Sequence, residues 1–366
     1  MTQAPSSAQP SAKGEFHIPS LDGIRAVSFL LVFLAHAGLE QFLPGGFGVT
    51  VFFFLSGYLI TTYLRMECDR TGEINFKHFY LRRVFRIFPP FYLILGVAIA
   101  LALLGWLDEP LNASGALSQL FHYSNYWIIE HGRAGLVPGS GVYWSLAVEE
   151  HFYLLFPLLY LTLRRRLPHA SNQAIALYGL CGAVFLWRCL LVYAFHASED
   201  RTYLASDTRV DSILFGCILA IGGNPVLDRP ASSDRVLKCF WLPLGLLLLL
   251  GTFVYRDAHF RETWRYSIQG LALVPIFVAA IRFPKWGVFR VLNYAPVRRI
   301  GALSYSLYLL HYVVIFFIEA HCGWPKPVRG IIAFGVAYLL AALIYRFVEK
   351  PFGQMRKRLT HIASPK

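Results

Sequence analysis

Runs of apolar residues long enough to cross a bilayer recur along the chain, at about 24–43, 47–64, 88–106, 149–163, 174–195, 211–223, 238–255, 266–282, 301–320 and 329–348. A hydrocarbon core about 30 Å thick asks for about 20 such residues in one helix. The pattern predicts an all-α integral membrane protein with ten transmembrane helices. The runs at 149–163 and 211–223 are short as bounded and are expected to extend into their flanks. Only 15% of the residues are charged, against about 25% in soluble domains. The 366 residues leave little length for a soluble domain beside the spans.

Ten spans put both termini on one side, and charge selects which. Of the 34 Lys and Arg residues, 25 fall on the side of the N-terminus, 8 fall on the other, and Arg188 lies within a span. Basic loops stay cytoplasmic, so both termini are expected there, and the net charge of +13 is explained by topology rather than by nucleic acid. Six cysteines show no paired spacing. Those in apolar runs read as small hydrophobes, and neither a disulfide framework nor a metal site is expected. Residues 1–17, rich in Ser, Ala, Pro and Gln, read as a disordered tail. The transmembrane domain is expected over 18–353 and a basic cytoplasmic tail over 354–366. The connection at about 107–148 carries Gly132, Gly135, Gly139 and Gly141 among aromatics. It covers a site, forms a re-entrant element, or is plain irregular structure.

Two ionisable residues, Arg25 and His36, share the first apolar run with ten residues between them. That spacing is about three helical turns, so both side chains share a face roughly 16 Å apart along the axis. With Arg25 at one edge of the hydrocarbon, His36 lies near its middle. An imidazole there is costly unless it faces protein or water, which makes it a functional candidate. The alternative is a buried histidine bonded to a neighbouring helix.

Further stretches stand beside this pair: Gly48-Val49-Thr50-Val51-Phe52-Phe53-Phe54-Leu55-Ser56-Gly57-Tyr58, Phe79-Tyr80-Leu81-Arg82-Arg83-Val84-Phe85-Arg86-Ile87-Phe88-Pro89-Pro90, Tyr143-Trp144-Ser145-Leu146-Ala147-Val148-Glu149-Glu150, Ser304-Tyr305-Ser306-Leu307-Tyr308-Leu309-Leu310-His311 and Glu349-Lys350-Pro351-Phe352. Taken in this order, the set closely resembles the acyltransferase 3 family of integral membrane O-acyltransferases, from about residue 17 to 353. The resemblance implies transfer of an acyl group, often acetyl, from cytoplasmic acyl-CoA to a hydroxyl. Acceptors across the family include envelope polysaccharides, peptidoglycan, nodulation oligosaccharides and macrolides. The family's arginine, ten-residue gap and histidine match Arg25 and His36; its RxxR motif matches Arg83 and Arg86, and the acidic residue of its SLxxE motif matches Glu149. Some members carry an extracytoplasmic esterase-like domain, and none is expected here.

On this reading His36 is the general base that removes the proton of an acceptor hydroxyl. A carboxylate is expected to orient it, as in hydrolase triads, with Glu149 preferred and Asp22 the alternative. Arg83 and Arg86, with Arg82 and Arg25, are the candidates for the CoA phosphates, because a guanidinium offers the bidentate geometry that lysine lacks. Inner-leaflet charge also explains much of the arginine cluster, and Arg25 can simply snorkel or pair with Asp22. Asp207, Arg209, Asp211 and His311 are candidates for acceptor binding, against an outer-loop ion-pair group and a packing histidine. Arg188 needs a partner that the sequence does not name. Ser56-Gly57 and Gly23 are expected to serve close helix packing. The acceptor expected is a surface carbohydrate of exopolysaccharide or lipopolysaccharide type, with a macrolide or other small hydroxyl compound as the alternative. The location expected is the bacterial inner membrane. The rival from another class is a proton-coupled transporter, which Arg188 and His36 would suit; absent internal repeats weigh against it.

Overall fold

A computed structural model of the chain describes residues 17–107 and 110–361, so the expected tail at 1–17 lies, but for its last residue, outside the described residues. Helices dominate the described residues, which form no strand beyond an isolated bridge between Leu111 and Gly135. The helices that carry the argument are α1 (Pro19–Leu34), α2 (Gly45–Thr71), α3 (Phe76–Leu103), α4 (Trp144–Arg166), α5 (Ala170–Tyr193), α6 (Ser206–Gly222), α7 (Leu242–Val254), α8 (Trp264–Arg282), α9 (Ser304–His321) and α10 (Lys326–Ile344). Local chemistry sets their ends. Pro19 opens α1 at a position with no need of an N–H. Gly72, at φ 78°, closes α2 in the left-handed region, and the Asn75 side chain caps α3 by accepting from the His78 amide.

Among the described residues, eight helical stretches are long and apolar enough to cross a membrane, and nine if Ala295–Ala302 and α9, bent by 73°, count as one broken span. The difference from ten runs has a physical cause. Helix α6 is 17 residues long, opens with Asp207, Arg209 and Asp211, and has 13 of its residues buried. It packs among α2, α5 and α8, so Arg209 and Asp211 are shielded by protein.

Glycines allow this tight interior. A Cβ on Gly57 of α2 would stand 1.9 Å from the Ile213 carbonyl oxygen, and one on Gly216 of α6 would stand 1.9 Å from that of Phe54. The two backbones therefore cross in direct contact. Gly23 does the same for α1, where a Cβ would meet the Leu292 carbonyl at 2.2 Å. These are the close packings expected of Gly57 and Gly23.

The connection before α4 is built rather than irregular. It holds two short helices, Ala113–Leu120 and Ser124–His131, and then a buried strap at 136–140. The Val137 amide donates to Gln119 Oε1 at 3.3 Å. Gly139, at φ 73°, presses on α9, where a Cβ would lie 2.5 Å from Val313 Cα.

Candidate active site

Helix α1 does not end in an ordinary turn. Residues Ala35–Leu39 form a π turn, with Gly38 at φ 103°, and this wide turn carries His36. Such turns recur at functional sites. His36 is half-buried, and its Nδ1 lies 2.9 Å from Nε2 of the fully buried His311 on α9. His311 Nδ1 in turn lies 2.7 Å from the Tyr308 carbonyl oxygen. A carbonyl only accepts, so His311 Nδ1 carries the proton and its Nε2 is an acceptor. His36 must then donate through Nδ1, which leaves its Nε2 with a free lone pair. Tyr312 stacks on the His36 ring at 4.5 Å, fixing its plane.

The expected carboxylate partners lie elsewhere. Glu149 of α4 accepts from Ser56 Oγ at 2.8 Å and from the Tyr153 hydroxyl at 3.0 Å, and it has no contact with His36. Asp22 accepts from Arg25 at 3.0 Å and pairs with His17 at 2.8 Å. It is 14 residues before His36, about 21 Å along a helix. The ring that orients His36 comes from 275 residues downstream, a contact that sequence reasoning missed.

A cavity of about 100 Å³ lies on the arginine side of α2, lined by Arg25, Arg83, Arg86, Glu149, Glu150 and Tyr305 among others. The Arg83 guanidinium is held between the Phe79 ring at 5.7 Å and the Tyr153 ring at 5.4 Å. Among the described residues, neither Arg83 nor Arg86 has an ion pair. The other two expected phosphate ligands differ: Arg82 is engaged by Glu67 at 3.0 Å and Arg25 by Asp22. Glu149 and Glu150 line the same cavity and act on these guanidinium groups through charge, Glu149 on both and Glu150 on Arg83.

On the far side, a cavity of about 630 Å³ is lined by His36 together with Trp144, Tyr203, Tyr266, Tyr308 and Tyr312, and by Glu40, Glu262, Gln269, Arg133 and Arg265. Stacking faces with polar side chains between them suit a polyhydroxyl ligand. A smaller cavity of about 200 Å³, between α9 and α10, also reaches His36. Val49 and Tyr308 line both the arginine-side cavity and the large one.

The residues expected to bind the acceptor are mostly committed within the protein. Asp211 pairs with Arg188 at 2.8 Å, both fully buried, and also accepts from Ser267 at 3.1 Å. This is the partner that Arg188 required. Arg209 is fully buried over the Tyr266 ring at 4.2 Å and the Tyr203 ring at 5.1 Å, and it donates to Thr50 Oγ1 at 3.1 Å. It backs the large cavity without entering it. Asp207 accepts from Arg201 and, at 2.7 Å, from the Trp187 indole. His311 is fully buried and bonds His36. The aromatic and acidic lining from Tyr203, Glu262 and Tyr266 carried no signal in the sequence, since single tyrosines at span ends read as packing.

The family described as "Acyltransferase domain", acyltransferase 3, matches residues 18–346. A provisionally named O-acetyltransferase of Staphylococcus aureus strain COL is 31% identical over 352 residues, covering 92% of this chain and 57% of its own length. O-acetyltransferase OatA of S. aureus strain NCTC 8325 / PS 47 is 30% identical over 352 residues, with the same coverage of both chains. The chain thus spans somewhat more than half the length of these relatives.

Proposed function

Because this chain belongs to the acyltransferase 3 family, we propose that it is a membrane-embedded O-acyltransferase that moves an acyl group, acetyl foremost, from acyl-CoA to a hydroxyl of a surface carbohydrate. The reading includes ten spans with both termini in the cytoplasm of a bacterial cell and the enzyme in its inner membrane. The arginine side then faces the cytoplasm. Arg83 and Arg86 hold the CoA phosphates, a role that their unpaired guanidinium groups support.

The thioester extends toward His36, and the acceptor enters from the large aromatic cavity. His36 Nε2 takes the hydroxyl proton as the oxygen bonds to the thioester carbonyl carbon. The carbon–sulfur bond then breaks, and the sulfur leaves with the proton from the imidazolium as free CoA. His311, an acceptor at Nε2, holds His36 Nδ1–H throughout, the task a carboxylate performs in hydrolase triads.

The observation that carries this reading is the His36–His311 pair, set at the edge of a cavity suited to sugars and adjoining one that holds two unpaired arginines. The test is a purified protein in liposomes given labelled acetyl-CoA with and without a candidate oligosaccharide. Acceptor-dependent release of free CoA, with label on the sugar, is expected. Movement of a solute without CoA release overturns the reading in favour of a carrier.

A further inference from the structure

Two side chains, Val49 of α2 and Tyr308 of α9, are common to the arginine-side cavity and the histidine-side cavity. Both are nearly buried, at 5% and 6% exposure. Tyr308 is three residues before His311, one helical turn, so it stands about 4.5 Å toward the arginine side of the His36–His311 contact. We propose that Val49 and Tyr308 form the portal through which the acyl group reaches His36, and that their fixed separation limits the enzyme to small, unbranched acyl groups. The inference rests on the donor and base reading above and adds the selection of the acyl chain.

Both walls are packed against neighbours. The Tyr308 hydroxyl donates to the Val142 carbonyl at 3.2 Å and lies 2.7 Å from Ser145 Oγ. Its ring meets Phe52 edge-on at 5.9 Å. Val49 is fixed through its neighbour Gly48, where a Cβ would stand 2.5 Å from the Ser28 carbonyl oxygen and 2.9 Å from Val32 Cγ2 of α1. Helix α2 therefore rests directly on the α1 backbone at this level. The space on the donor side is itself small, about 100 Å³. Val49 and Tyr308 stand where the two cavities meet, so on this proposal the bulk at position 49 sets the aperture.

Chain selection would then follow packing. One methylene in such a pocket changes discrimination by roughly 10–200-fold. The experiment compares the parental protein, Val49→Ala and Val49→Trp in liposomes, with acetyl-, propionyl- and isobutyryl-CoA as donors and the same oligosaccharide acceptor. CoA binding by each variant is measured separately. Val49→Ala is expected to raise the isobutyryl-to-acetyl ratio of kcat/KM by about tenfold or more. Val49→Trp is expected to bind CoA like the parent yet lose transfer. An unchanged acyl profile in Val49→Ala, or parental acetyl transfer in a CoA-binding Val49→Trp, overturns the portal. A parental protein that binds no CoA overturns the donor reading itself, and is thereby distinguished from failure of the portal alone.

Discussion

The imidazoles of His36 and His311 lie nearly parallel, 9° apart in plane with centroids at 5.2 Å, and share one hydrogen bond of 2.9 Å. Two neutral histidines in this relation cannot both donate, and the Tyr308 carbonyl decides the direction. The first prediction follows from that order. His36→Ala is expected to lower kcat by about 10²–10⁴-fold. His311→Leu, which removes the acceptor for His36 Nδ1–H, is expected to lower kcat by at least about tenfold with little change in acceptor KM. His311→Gln keeps an acceptor oxygen and should recover part of the loss. Parental kcat in correctly inserted His311→Leu sinks the positioning role.

Glu149 supplies the matching control. Its carboxylate bonds Ser56 and Tyr153, so Glu149→Gln should leave the shape of the pH–rate profile unchanged while altering the KM for the donor. The His311 variants should move the profile. A profile that moves with Glu149 and not with His311 restores the carboxylate as partner of the base.

Donor affinity should separate the three neighbouring arginines. Loss of a charge-assisted hydrogen bond costs about 1.5–3 kcal/mol, roughly 10–150-fold in affinity. Arg83→Gln and Arg86→Gln are each expected to weaken CoA binding by that order. Arg82→Gln, whose guanidinium already pairs with Glu67, should change it little. Isothermal titration with CoA reads all three, and equal losses at every position argue for a diffuse electrostatic effect.

The buried Arg188–Asp211 pair has its consequence in stability. Asp211→Asn removes the carboxylate that Arg188 pairs with and is expected to cost about 3–5 kcal/mol. The double replacement Arg188→Met, Asp211→Leu should regain most of the lost melting temperature. A double variant no more stable than the single would show that the pair contributes more than mutual neutralisation.

The sequence made some of this legible. Apolar run length revealed the helices, and Gly23 and Gly57 announced close crossings before any crossing was known. His36 stood out because an imidazole within hydrocarbon demands a reason, and Arg83 and Arg86 because they lie three apart on one face. What stayed hidden depends on tertiary distance. Glu149 looked like the natural partner for a base, but it sits on α4 at the level of Ser56, seven residues along α2 from Val49, about two turns from the portal. No periodicity could reveal that His311 would arrive beside His36, or that Asp211 would turn inward to Arg188. Arg209 and Asp211, in the first turns of α6, resembled an outer-loop group because burial by neighbouring helices leaves no mark on local composition.

The wide turn at Ala35–Leu39 winds more loosely than α1 before it, and Gly38 at φ 103° bends the chain there. Each residue turns a helix by about 100°, so a shortened loop at Ala37 would rewind the segment and swing everything beyond it around the axis. Such a deletion is expected to give a protein that melts higher and transfers nothing, the usual exchange between firmness and activity. The base is presented to its substrates by a slack turn in the coil, and tightening that turn would silence the molecule without removing a single reactive atom.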